Sequence, residues 1–250
     1  MELKILTEFF DEYLKISEIE DVSVNGLQVE CQEDVEKICF AVDACAETFK
    51  LAKEENADML FVHHGMIWNG IKSVTGITYK RLKFLIENEI SLYAAHLPLD
   101  MHDEVGNNIR FLKIFGINEA IEEFGTYHGI KIGYIGRFEK EKNLSDFVSE
   151  IERQLNTKCK ILKFGKNKIK SVGVVSGGAA SLIDEAIENV DCFVTGEPSH
   201  QVYHSAKEGK INVIFAGHYA TETLGVKAMA ELIGKKFGIE TKFIDCPTGL

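Results

Sequence analysis

Two adjacent histidines, His63-His64, close the apolar run Asp58-Met59-Leu60-Phe61-Val62 and are followed by Gly65. A short apolar run ending in polar, metal-competent side chains and a glycine predicts a buried strand with a functional C-terminal end. In open α/β sheets that end is where ligands bind. Two more runs end the same way, Ser91-Leu92-Tyr93-Ala94-Ala95-His96 and Asn212-Val213-Ile214-Phe215-Ala216-Gly217-His218. Strands that deliver imidazoles to one edge point to a metal centre. Histidine and carboxylate together suit zinc, iron, manganese or nickel.

The spacing within each segment adds detail. Consecutive side chains on a strand face opposite ways, so His63 and His64 suit two ions, or one ion and one substrate group, better than a single ion. A helix starting near His218 puts His218 and Glu222 at i and i+4 on one face. A glutamate at a helix start is also favoured by the helix dipole without any metal. In His96-Leu97-Pro98-Leu99-Asp100 the proline is expected to stop the strand and turn the chain, so that Asp100 folds back in a loop beside His96.

The elements that must position these groups alternate through the chain. The 250 residues carry a net charge of −11 and are 45% hydrophobic with three prolines, a soluble globular composition large enough for one α/β domain or two smaller ones. An opening amphipathic helix (Leu3 to Leu14) precedes a strand at Ile38-Cys39-Phe40-Ala41-Val42. Helices are expected around Glu47–Glu55, Tyr79–Asn88 and Glu104–Phe115, the last stopped by Gly116. The texture changes near Gly125 to Gly136, where a glycine-rich strand opens a second lobe. That lobe continues with a helix (Leu144 to Leu155), strands at 172–175 and 192–194, and a helix from about Leu182. A final helix, Thr221 to Phe237, leads to a strand at Lys242-Phe243-Ile244. The alternation argues α/β with two lobes and mixed, largely parallel sheets.

No run approaches the ~18 apolar residues of a membrane span, and the N-terminus lacks a signal-peptide pattern, which places the protein in the cytoplasm and away from membranes. The six cysteines, at 31, 39, 45, 159, 192 and 246, include no C-x-x-C pair and read as buried or half-buried free thiols. The acidic balance disfavours a global nucleic-acid binder. The stretch between Glu152 and Asp184 nevertheless holds no acid and seven basic residues, and Lys158 to Lys170 forms a lysine-rich segment with two readings, a solvated lobe surface or a DNA/RNA contact. Ser176-Gly177-Gly178-Ala179 matches no phosphate-loop fingerprint and reads as a tight turn. His200 and His204, expected at i and i+4 of one helix, lack the glutamate of H-E-x-x-H. Trp68 and Tyr219 are candidate aromatics beside the histidines.

These residues resemble the GTP cyclohydrolase 1 type 2 homologues, the Nif-three-like family. The resemblance runs through Asn25-Gly26-Leu27-Gln28, Val42-Asp43-Ala44, His63-His64-Gly65, Ala95-His96-Leu97-Pro98-Leu99-Asp100, Gly106-Asn107-Asn108, Thr195-Gly196-Glu197 and Ala216-Gly217-His218-Tyr219-Ala220-Thr221-Glu222. It implies two divalent metal ions in a cleft between two α/β lobes, held by His63, His64, Asp100, His218 and Glu222, with Glu222 as the bridge and His96 as an additional or supporting group. It implies a first lobe of residues 1–125 plus 219–250, a second of 126–218, and a homohexamer. It also places Glu197 and His204 at the cleft wall, where they join His96 as proton-transfer candidates. The expected chemistry is metal-dependent hydrolysis of a nucleotide-like, or other heterocyclic or phosphorylated, small molecule. A non-catalytic role in metal delivery uses the same ligands.

Overall fold

Apolar runs buried on both faces form the centre of each of two sheets in the computed structural model, which describes residues 1–250. The chain is mixed α/β with nine α-helices and divides into two compact units, Met1–His102 with Gly225–Cys246, and Asp103–Leu224 with Pro247–Leu250.

The first unit contains α1 (Leu3–Tyr13), β1 (Gly26–Val29), β2 (Lys37–Asp43), α2 (Ala46–Glu54), β3 (Met59–His64), α3 (Gly76–Glu87), β4 (Ser91–Ala94) and α4 (Leu97–Met101). The second unit contains α5 (Asn107–Ile114), β5 (Glu119–Tyr127), β6 (Ile130–Asn143), α6 (Leu144–Gln154), β7 (Lys160–Lys163), β8 (Lys168–Val174), α7 (Ile183–Asn189), β9 (Cys192–Thr195), α8 (Val202–Glu208) and β10 (Asn212–Phe215). Helix α9 (His218–Phe237) begins in the second unit and ends in the first, where β11 (Glu240–Phe243) follows.

In the first unit the strand order is β1-β4-β3-β2-β11, and every pairing is parallel except β1 on β4. Alternation divides the side chains between two faces. Cys39, Ala41, Leu60, Val62, Leu92 and Ala94 pack with Phe49 of α2 and Leu85 of α3. On the other face Phe40, Phe61 and Tyr93 form a ring cluster with Phe10 of α1, centroids 4.9 to 5.4 Å apart. With both faces covered, a near-continuous apolar strand is what the parallel core requires. Truncating Phe61 to alanine there costs about 3–5 kcal/mol.

The second sheet runs β5-β6-β8-β9-β10-β7. Here the expected parallel character is confined to β8-β9-β10, because β5/β6, β6/β8 and β10/β7 are antiparallel. The β5–β6 hairpin turns through His128-Gly129, both at positive φ, with Tyr127 opposite Ile130. Two left-handed residues in a two-residue loop match the twist of the flanking strands. Packing also draws α5 into this unit: Phe111 and Phe115 meet Phe147 of α6 in a core shared with Tyr134, Val172 and Val194. The units therefore part at His102/Asp103 and Leu224/Gly225, where residues 125/126 and 218/219 were expected.

β7 is an edge strand of this sheet and carries the exposed Lys160 and Lys163. Lysines on an edge oppose pairing with another chain, which accounts for part of the lysine-rich segment. Acids from elsewhere reach two of the remaining lysines, Glu152 at 3.3 Å from Lys158 and Asp191 at 3.7 Å from Lys166. No helix is long and apolar enough to cross a membrane.

Candidate metal centre

The parallel register of the first sheet sets its histidines at one edge. His63 and His64 are the last two residues of β3, and His96 stands just beyond β4 as the cap of α4. The pleat does not send His63 and His64 to separate destinations. Their ring centroids are 4.6 Å apart, and one ring nitrogen from each of His63, His64 and His96 lies within 4.8 Å of the others. What alternation separates is their supports. His63 Nδ1 donates to the Ala95 carbonyl at 3.0 Å, beyond the end of β4, whereas His64 Nδ1 donates to Asp43 Oδ1 at 2.8 Å on β2. A carbonyl or carboxylate accepts only, so each contact fixes a proton on Nδ1, the tautomer in which the lone pair of a neutral imidazole is on Nε2.

Asp100 does not sit in a loop beside His96. Pro98 occupies the first turn of α4, where its missing N–H costs nothing, and Asp100 lies on that short helix with its N–H donating to the His96 carbonyl at 3.2 Å. The carboxylate faces His63, with Oδ2 3.5 Å from Nε2. His96 is held instead by Asp21, whose oxygens accept Nδ1–H at 3.0 and 3.1 Å. Burial pushes the Asp21 carboxyl up, but His96, Asn25 and the Ser23 N–H outweigh it and bring the group down to about 2. Asp21 also accepts from the Leu97 N–H, tying the cap of α4 in place. The Trp68 and His96 rings meet in a T-shaped arrangement with centroids 5.0 Å apart.

In the second unit α9 begins at His218, as the i, i+4 argument requires. His218 Nε2 is 3.1 Å from Glu222 Oε1, and its Nδ1 donates to Glu197 Oε1 at 2.6 Å. Glu222 is 2% exposed, and the backbone at Gly177 leaves room for it. Gly177 has φ +65, and a Cβ there would meet Glu222 Oε1 at 2.3 Å. Gly196 is equally constrained, since a Cβ would come within 2.7 Å of both the Gly177 carbonyl and His218 Cα. The turn Ser176-Gly177 is held by Asn108, whose Oδ1 accepts the Ser176 N–H at 2.7 Å while its amide donates to the Ile132 carbonyl at 2.8 Å. Thr221 Oγ1 accepts the Gly177 N–H at 3.1 Å. Those N–H groups are committed and the neighbours are acidic, so the segment is a turn rather than an anion cradle.

His200 and His204 do not share a helix. α8 starts at Val202, His200 precedes it in a turn, and His204 is exposed with its ring against Tyr203 at 5.3 Å. Glu197 is exposed and bound to His218. Tyr219 is buried at the start of α9. All six cysteines are free. Burial pushes the thiols of Cys39 and Cys159 up to about 11 and about 12, and raises Cys192 as well, so none of the three presents a thiolate.

The donor chemistry fits divalent metal. A lone pair on His218 Nε2 facing the Glu222 carboxylate, or on His63 Nε2 facing Asp100, becomes attractive only with a proton or a cation between them. Of the supporting acceptors only Glu197 stands out in the sequence, through the family resemblance. Asp43 belongs to the Val42-Asp43-Ala44 match but carries no periodicity that singles it out, and Asp21 reaches His96 across 75 positions.

Residues 1–248 match the family model described as Duf34/NIF3 (NGG1p interacting factor 3). The chain belongs to this family. It is 52% identical over 251 residues to a Pyrococcus abyssi protein named GTP cyclohydrolase 1 type 2 homolog, with 100% of each chain covered. A Deinococcus radiodurans protein of the same name is 40% identical, covering 98% of this chain and 93% of its own. The crystal structure of TTHA1606 from Thermus thermophilus superposes with a TM-score of 0.92 at 39% identity, over 100% of both chains.

Proposed function

We propose that this DUF34/NIF3 chain is a dinuclear divalent-metal protein that hydrolyses a nucleotide-like, or other heterocyclic or phosphorylated, small molecule. The observation that supports this reading most is the uniform support of the imidazoles. In His63, His64, His96 and His218 alike, Nδ1 is bound to an acceptor, so Nε2 is the nitrogen offered to a cation. His63, His64, Asp100, His218 and the buried carboxylate of Glu222 would be the ligands of the two ions, drawn from zinc, iron, manganese or nickel. Bound there, divalent ions supply a Lewis acid and a nucleophile at neutral pH.

The chain's own groups then hold rings and move protons. Asp43, the Ala95 carbonyl and Glu197 keep three imidazoles in one tautomer. His96 would take up a proton at Nε2, and the ionised Asp21 carboxylate, accepting Nδ1–H, would stabilise the resulting imidazolium without itself being protonated. Glu197, exposed and bound to His218 through Oε1, would be the second group to move a proton. The relatives' name makes GTP the first compound to test, followed by other nucleotides and phosphate esters. Hydrolysis by the metal-loaded protein is measured beside the His64→Ala and Glu222→Ala variants. Loss of turnover in both variants is expected, and equal turnover in all three proteins overturns the assignment.

A further inference from the structure

We infer that His63, His64 and His96 form a three-imidazole docking position for one borderline divalent ion, which shares two histidines with the carboxylate-containing ligand set but uses no carboxylate ligand. The inference rests on the metal-binding reading above and gives His96 a role beyond proton transfer.

Three observations carry it. One ring nitrogen of each residue lies within 4.8 Å of the other two, and the ring centroids are 4.6, 5.1 and 5.6 Å apart. Each ring is fixed by a different acceptor on a different segment, the Ala95 carbonyl just beyond β4, Asp43 at the end of β2 and Asp21 in the loop before β1. A single ion-binding pair needs no such third support, and Asp21 is itself fixed by Asn25 and by the Ser23 and Leu97 N–H groups. The three histidines also all belong to the first unit.

The chemistry follows from the donors. Three neutral imidazoles bind zinc, cobalt or ferrous iron and discriminate against magnesium and calcium, which require oxygen. The ion's charge is balanced by Asp43 and Asp21 behind the rings.

The test uses the full chain and cobalt(II), read by equilibrium dialysis and by the visible ligand-field spectrum. The His218→Ala/Glu222→Gln double variant should retain one equivalent of cobalt(II) with a nitrogen-rich spectrum. Adding His96→Ala should weaken that binding by more than the about 10–100-fold expected for loss of a ligand's hydrogen-bond partner, and adding Asp21→Asn should weaken it within that range. His96→Gln serves as a second variant, with far-ultraviolet circular dichroism confirming that each protein is folded. No binding to the folded double variant, or binding that His96→Ala and His96→Gln leave unchanged, overturns the docking position while the wild type still binds cobalt(II). If the wild type binds none, the metal reading itself fails.

Discussion

Asp43 and His64 stand opposite each other in the parallel register of β2 and β3, and the Asp43 carboxylate accepts the His64 Nδ1–H at 2.8 Å. One sheet contact thereby selects the tautomer of a candidate ligand. Asp43→Asn keeps the shape but removes the charge and can present an amide donor to Nδ1. Divalent-metal affinity should fall about 10–100-fold, measured by competition with a chromophoric chelator, while the unfolding midpoint of the chelated protein changes little.

Gly177 supplies the clearance for Glu222. In Gly177→Ala the new Cβ would sit 2.3 Å from Glu222 Oε1 at a φ of +65. The left-handed backbone alone costs about 1–2 kcal/mol, and the carboxylate must move. Lower thermal stability together with loss of bound metal is expected by elemental analysis. Gly178→Ala is the control, because its Cβ meets only Glu197 Oε2 at 3.7 Å with no positive φ, and it should retain metal.

Chelation should lower the unfolding temperature of the metal-loaded wild type. A ligand that binds only the folded state adds about 2.7 kcal/mol at a hundredfold excess over its dissociation constant. Scanning calorimetry with and without EDTA gives the shift, and His64→Ala should shrink it. An unchanged transition in the wild type would show that no ion is held by the folded chain.

Acid should unlock the turn of the second unit through Glu185. Burial raises its carboxyl, but Lys131 and the Thr126 and Gly125 N–H groups outweigh that and bring it down to about 2. An unfolded glutamate titrates near ~4.3, so the contribution is fully present above that pH and is lost as pH falls through about 2. Glu185→Gln should cost about 1–2 kcal/mol in urea unfolding at neutral pH, reduced by the partial exposure of Lys131. The gap between variant and wild type should close towards pH 2.

The sequence carried the strand ends well, because His63, His64, His96 and His218 each terminate an apolar run and the runs are strands or abut them. The i, i+4 pair of His218 and Glu222 was legible for the same reason, being local. Asp100 was misplaced in a loop because Pro98 has two local meanings, a strand breaker and a helix opener. β5 was missed because the hairpin turn is His128-Gly129 and not one of the commoner asparagine or aspartate pairs. Asp21 and Glu197 act through space on rings 75 and 21 positions away, and no periodicity encodes such contacts.

The four Nδ1 contacts have a thermodynamic consequence. An imidazole that swings between rotamers must surrender that freedom when it coordinates, and the loss subtracts from affinity. Here His63, His64, His96 and His218 are already anchored by Ala95, Asp43, Asp21 and Glu197. The ordering is completed as the chain folds, so a cation held by these imidazoles would meet preorganised donors and keep more of its coordination energy as binding free energy.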